Sequence, residues 1–159
     1  MALLFRLVLG SSFPLVAEAR LRDMCQIVAD FQDATGDVFS IGDDDSGRVL
    51  AVDFVSSCGR VESLLRLARV ALRREFKPAV TADYRDSGWC VRTAGDFRLA
   101  VEFGGVGLCG GGAHAHNDDF SLCLEWKGQP VIVDPGTCLY TGDAAARNRF
   151  RSTLSHNTL

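Results

Sequence analysis

The chain is poor in histidine, with three in 159 residues. Two of these, His114 and His116, stand one residue apart in "GGGAHAHNDDF", so imidazole chemistry is concentrated at one spot. None of its six cysteines forms a C-x-x-C pair, which removes a zinc ribbon or a thioredoxin-type redox pair. Cys25, Cys90, Cys123 and Cys138 sit in apolar strings and read as small buried apolar side chains. Basic charge is not in excess: 17 Lys and Arg face 20 Asp and Glu, a net charge of -3. That balance gives no footprint for nucleic acid. No apolar run reaches the roughly 20 residues that a membrane-spanning helix needs. The opening "MALLFRLVLGSSFPLVAEA" ends in A-x-A like an export signal, but it lacks a basic start and Arg6 interrupts it. It reads as a buried or amphipathic helix. Repeats are absent, and the only biased tract is glycine between Gly104 and Gly112.

The composition that remains, 47% hydrophobic and 23% charged, is that of a folded chain of one domain or pieces of two. Two helices are legible in the first half. "FPLVAEARLRDMCQIVADFQDATG" puts Leu21, Met24, Cys25, Val28 and Phe31 on one face, with Pro14 at the first turn and Gly36 at the end. "SSCGRVESLLRLARVALRREF" does the same with Val61, Leu64, Leu65, Ala68 and Leu72, capped by Ser56 or Ser57 and ended by Pro78. Between them, "IGDDDSGR" is too irregular for a calcium loop. From Asp43, the sixth and twelfth positions hold Arg48 and Phe54 rather than Gly and Glu. It reads as an acidic turn.

After Pro78 the period changes to two. Phe97, Leu99, Val101 and Phe103 alternate with Arg98, Ala100 and Glu102. Phe120, Leu122, Leu124 and Trp126 alternate with Ser121, Cys123 and Glu125. "KGQ" then predicts a hairpin into Val131–Val133. Helices followed by strands give an α+β class. Gly105, Gly107 and Gly110 form a literal G-x-G-x-x-G, but a strand rather than a helix follows, so a dinucleotide site is excluded. Glycines there let backbone approach something closely.

In extended backbone, His114 and His116 project to one face and can meet one ion. His156 and Asp134, the latter at the end of the strand "PVIVD", are further candidates for the four ligands zinc prefers. By residue type alone, two ordinary polar histidines beside glycines remain an alternative.

The blocks "GGGAHAHNDDF", "VDPGTCLYTG" and "RNRFRSTLSHNTL" occur in order. They resemble the heparinase II/III-like family of polysaccharide lyases, whose pattern runs G-x-H-x-H-x-D, then V-D-P-G-T-x-x-Y-x-G, then R-N-x-F-R-S-T-x-x-H-N-T. "IGDDDSGR" and "YRDSGWCVR" look like its upstream blocks, so the likeness runs from about residue 20 to 159. The resemblance implies residues 1–78 as the end of an α/α toroid and 79–159 as an antiparallel β-sandwich, both incomplete, hence a fragment that is not expected to turn over substrate by itself. It implies β-elimination on an anionic, 4-linked uronic-acid polysaccharide, with nucleic acid and membrane not expected as partners. It implies His114 at the catalytic cleft and a structural zinc on His116, Asp134 and His156. Relatives act in the periplasm or outside the cell. Tyr140 matches the second block, and it lines either the cleft, as a substrate-binding residue, or an edge of the sandwich. Arg147, Arg149 and Arg151 alternate, and they face either the anionic polymer or internal aspartates. Neither tyrosine of the chain, Tyr84 or Tyr140, matches the family's catalytic Tyr. Two competing expectations are a silent, zinc-braced carbohydrate-binding or structural module, and a zinc hydrolase using His114, His116 and Asp134.

Overall fold

A computed structural model describes residues 2–3, 6, 10, 13–40, 42–43, 60–105, 110–112, 114–139 and 141–158. The Ser56/Ser57 cap, most of "IGDDDSGR", Gly107, Tyr140 and Leu159 lie outside the described residues. The chain divides into two compact units, Met1–Val38 with Asp53–Ala79, and Phe39–Val52 with Val80–Leu159. The stretch from Phe39 thus groups with the strands, although it precedes the second helix in sequence.

The first unit contains helices α1 (Leu15–Asp30) and α2 (Arg60–Leu72). Their shared core is Cys25, Ala29, Ala68, Ala71 and Leu72, with Leu21 and Leu65 against it. The small residues Ala29 and Ala68 are fully buried, as close helix approach requires. This stripe is rotated from the expected one: Met24 is 62% exposed, and Leu64 is exposed too. Helix α2 ends before Pro78, where Arg73 takes a left-handed φ of 50°. A terminal left-handed residue usually announces itself as glycine, and here it does not. Asp30, buried at the end of α1, accepts from Gln26 Nε2 at 3.0 Å and from the Ala79 amide at 2.7 Å.

The second unit holds a five-stranded antiparallel sheet in sequential order, β1 (Thr81–Tyr84), β2 (Trp89–Ala94), β3 (Phe97–Glu102), β4 (Leu122–Trp126) and β5 (Gln129–Ile132). The expected α+β class with antiparallel strands is what the chain adopts. Two tight hairpins set the register. Lys127 and Gly128, at φ 50° and 71°, join β4 to β5 through the predicted "KGQ" turn. Positive φ at both central residues matches the strand twist. Pro130 is tolerated because β5 is an edge strand.

The burial of the strands reverses the expected faces. Ala82, Val91, Ala100 and Cys123 are register partners across four strands and are all buried. Phe97, Phe120 and Trp126, on the face expected to be inside, are about half exposed. Small side chains let other groups pack tightly on their face. The Arg98 guanidinium, on that face, lies 6.0 Å from the centre of the buried Phe39 ring.

One glycine is sterically required. Gly88 has φ 71°, and a Cβ there would stand 2.0 Å from Gly104 Cα. The Phe103 amide donates to Gly88 O at 2.6 Å across this contact. Gly88→Ala is therefore expected to cost about 2–4 kcal/mol, combining left-handed strain with overpacking. Chemical denaturation of the variant checks this, and an unchanged midpoint contradicts it.

Candidate metal centre and neighbouring histidine

Three polar stretches converge near the start of β4: the segment ending at Asp43, the connection Gly110–Ser121, and the chain after α3 (Ala144–Phe150). Asp143 starts α3 by accepting from the Ala145 and Ala146 amides at 2.8 and 3.1 Å. The arginines that looked alternating are therefore on a helix and its end. Arg147 turns inward to Asp43, 3.1 Å away, and Arg149 is exposed. Arg151 donates to Ala115 O from Nε and Nη2 at 3.2 and 3.1 Å, fixing the backbone between the two histidines.

The segment that carries His114 and His116 is turn and coil rather than strand, and the two rings differ in exposure although both reach Asp43. The His114 side chain is 64% exposed, while that of His116 has no exposure. His116 Nε2 is 3.0 Å from Asp43 Oδ1, and His114 Nδ1 is 3.4 Å from Asp43 Oδ2. Asp43 also accepts from Thr137 Oγ1 at 2.7 Å. Burial alone would raise its pKa, but the hydrogen bonds from Thr137, His116 and Arg147 outweigh this and hold it at about 2.

His156 lies across from His116, with ring centres 5.1 Å apart. Its Nδ1 is 2.7 Å from Asp134 Oδ2, and both side chains are fully buried. Asp134 Oδ1 accepts from the Gly136 amide at 2.8 Å. The Ser121 hydroxyl is 3.0 Å from Asp134 Oδ2 and 2.9 Å from Asn157 Oδ1, and its single proton goes to one of them at a time. Asn157 Oδ1 also accepts from the Leu122 amide at 2.8 Å, tying the segment after α3 to β4.

His116, Asp118 and His156 each offer one ligand atom, all within 4.8 Å of one another. One buried atom of each of these three residues has no hydrogen-bond partner among the described residues: His116 Nδ1, Asp118 Oδ2 and His156 Nε2. The other nitrogen of each ring faces a carboxylate, Asp43 or Asp134. A carboxylate takes the N–H, so the orphaned nitrogens carry lone pairs. Buried lone pairs without donors are costly, and a cation would satisfy all three. The donor set of two imidazoles and a carboxylate suits a borderline ion such as zinc. The residues therefore fit a metal.

Of the residues expected from sequence, His116, His156 and Asp134 come together and His114 stands at their exposed side. Sequence reading gave no role to Asp43 or Asp118. Asp118 was visible as the final acid of G-x-H-x-H-x-D, two residues past His116. Asp43 was hidden in an acid-rich loop 73 residues before its partner.

Glu102 closes β3 beside this cluster. Its Oε1 accepts from the Gly104 amide at 2.9 Å, and its Oε2 is buried without a partner. Burial raises its pKa from 4.5 to about 7, aided by the charges of Asp118 and Asp119 and opposed by the Gly104 amide. Because the folded value lies above the unfolded one, metal-free protein loses stability as pH rises from 4.5 to about 7. Glu102→Gln is expected to flatten that slope and to be the more stable form at about pH 8. Urea melts across pH in the presence of chelator measure this. The same slope in both proteins contradicts it.

Fold and site together describe an antiparallel β unit carrying a candidate metal cluster beside an exposed histidine. The family profile described as "Heparinase II/III-like, C-terminal" matches residues 77–159, a little over half of the chain. The chain belongs to the heparinase II/III-like family. Among solved structures, heparinase III (the BT4657 gene product) is similar with TM-score 0.67 and 17% identity, over 92% of this chain and 24% of that one. A mutant of the heparan sulfate lyase HepC from Pedobacter heparinus gives TM-score 0.64 and 19% identity, over 92% and 24%. At such identities the likeness establishes the fold. The chain spans about a quarter of the length of these structures. No curated protein matches it.

Proposed function

We propose that this chain carries part of the active site of a polysaccharide lyase acting on a 4-linked uronic-acid polymer. The observation that carries the reading is the family block itself, folded so that one histidine is exposed and its neighbour is buried in a lone-pair-rich cluster. In β-elimination a base removes the C5 proton and the glycosidic oxygen leaves C4. The C5 proton is barely acidic while the uronate carboxylate keeps its charge, so that charge must be neutralised as the enolate-like state forms. His114 has an exposed imidazole that can serve these proton transfers or that neutralisation. Arg149 is exposed for contact with the anionic chain. Arg147 instead holds Asp43, and Tyr140 is retained as a cleft residue on the strength of its block alone.

A zinc ion would draw its ligands from His116, His156, Asp118 and Asp134. When bound, it supplies bracing: it locks the connection before β4 to the segment after α3. His114 lies outside this set and keeps its ring for substrate. As in the family, the polymer would be met outside the cytoplasm. The test offers heparan sulfate, alginate and hyaluronan to the full-length protein of which this chain is a part, and follows the ultraviolet band of a 4,5-unsaturated uronate. The expected result is growth of that band with at least one polymer. Binding without any such product supports the silent carbohydrate-binding module instead.

A further inference from the structure

Asp43 meets both histidines of the H-x-H pair. Its carboxylate has no solvent exposure. The two oxygens divide their partners. Oδ1 takes Thr137 Oγ1 at 2.7 Å and His116 Nε2 at 3.0 Å. Oδ2 takes Arg147 Nη2 at 3.1 Å and lies 3.4 Å from His114 Nδ1. The backbone adds a third tie, because the Asp43 amide donates to His114 O at 3.2 Å. Next to it, a Cβ on Gly42 would stand 3.3 Å from the same oxygen.

We propose that Asp43 is a positioning residue that links the two histidines, orienting His116 toward the buried cluster and His114 toward the cleft. This rests on the lyase reading for the meaning of His114, but not for the link itself. Through Oδ1, Asp43 fixes the His116 proton on Nε2 and turns the Nδ1 lone pair to Asp118 and His156. Through Oδ2, 3.4 Å from His114 Nδ1, its negative charge favours the His114 proton on that nitrogen. Arg147 and Thr137 hold the carboxylate so that it cannot swing toward either ring alone.

The chain has only three histidines, so ring-nitrogen NMR resolves the question in metal-free protein. At about pH 8.5, above the ordinary imidazole pKa, wild type should show His116 protonated on Nε2 and His114 on Nδ1. Asp43→Ala should return both rings to the tautomer mixture of free histidine. His156, whose Nδ1 faces Asp134, should keep its signals and so report that the fold persists. If either His114 or His116 keeps its wild-type signals in that fold, the link is overturned. If the variant loses the His156 signals too, the wild-type tautomers decide, and the opposite proton position on either ring overturns the proposal. Zinc alone, titrated against a chelator, should bind Asp43→Ala about 10- to 100-fold more weakly than wild type. Wild type that takes up no zinc contradicts the metal reading, while the tautomer result still decides for or against Asp43.

Discussion

Replacing His114 with alanine in the full-length protein is expected to lower the elimination rate on a sensitive uronate polymer by about 100- to 10,000-fold, the usual range for loss of a positioned acid–base group. Bound metal should not change. The reason is geometric. His114 is the histidine with the exposed ring, and its Nδ1 lies 3.4 Å from the Asp43 carboxylate. The loss should fall in kcat more than in KM, because the group acts on the transition state and not on the bound polymer. Single-turnover kinetics with the unsaturated product as readout measure this. A variant that keeps wild-type turnover removes His114 from the chemistry.

The second large effect concerns His116. Its Nδ1 is one of the orphaned buried atoms of the candidate cluster, and its Nε2 is already committed to Asp43. His116→Ala deletes a ligand and leaves Asp43 with one partner fewer. Zinc affinity should therefore fall by well over about 100-fold, beyond the 10- to 100-fold expected for residues that only orient ligands. Stability in chelator should fall as well, because a buried carboxylate that loses a partner is costly. Chelator competition and a thermal melt read the two effects separately. Equal zinc affinity in variant and wild type takes His116 out of the cluster.

Much of this was legible in sequence where local rules dominate. The two helices, the alternating strands and the Lys127–Gly128 hairpin follow from periodicity and turn chemistry, which are properties of neighbouring residues. What sequence misjudged was set by partners far away. The strand faces reversed because Ala100 and Cys123 offer space that Phe97 and Trp126 do not, and periodicity is blind to size. Met24 fell outside the helix core for the same reason, since Ala29 and Ala68 allow a closer approach. Arg147 and Arg149 looked like strand alternation until Asp143 capped a helix ahead of them. His114 and His116 separated because Arg151 and Asp43 pin a turn where extended backbone was expected. Asp43 itself could not be found by spacing. Only the fold brings it 3.0 Å from His116, and an aspartate in a run of three looks like solvated surface.

In the proposed function the adjacent histidines divide their labour, one in a metal shell and one outside it. X-ray absorption at the zinc edge, on the loaded chain and its His114→Ala variant, distinguishes the two roles. A shell of two imidazoles and carboxylate oxygen is expected in both proteins. Loss of an imidazole from the shell when His114 is replaced would overturn that division.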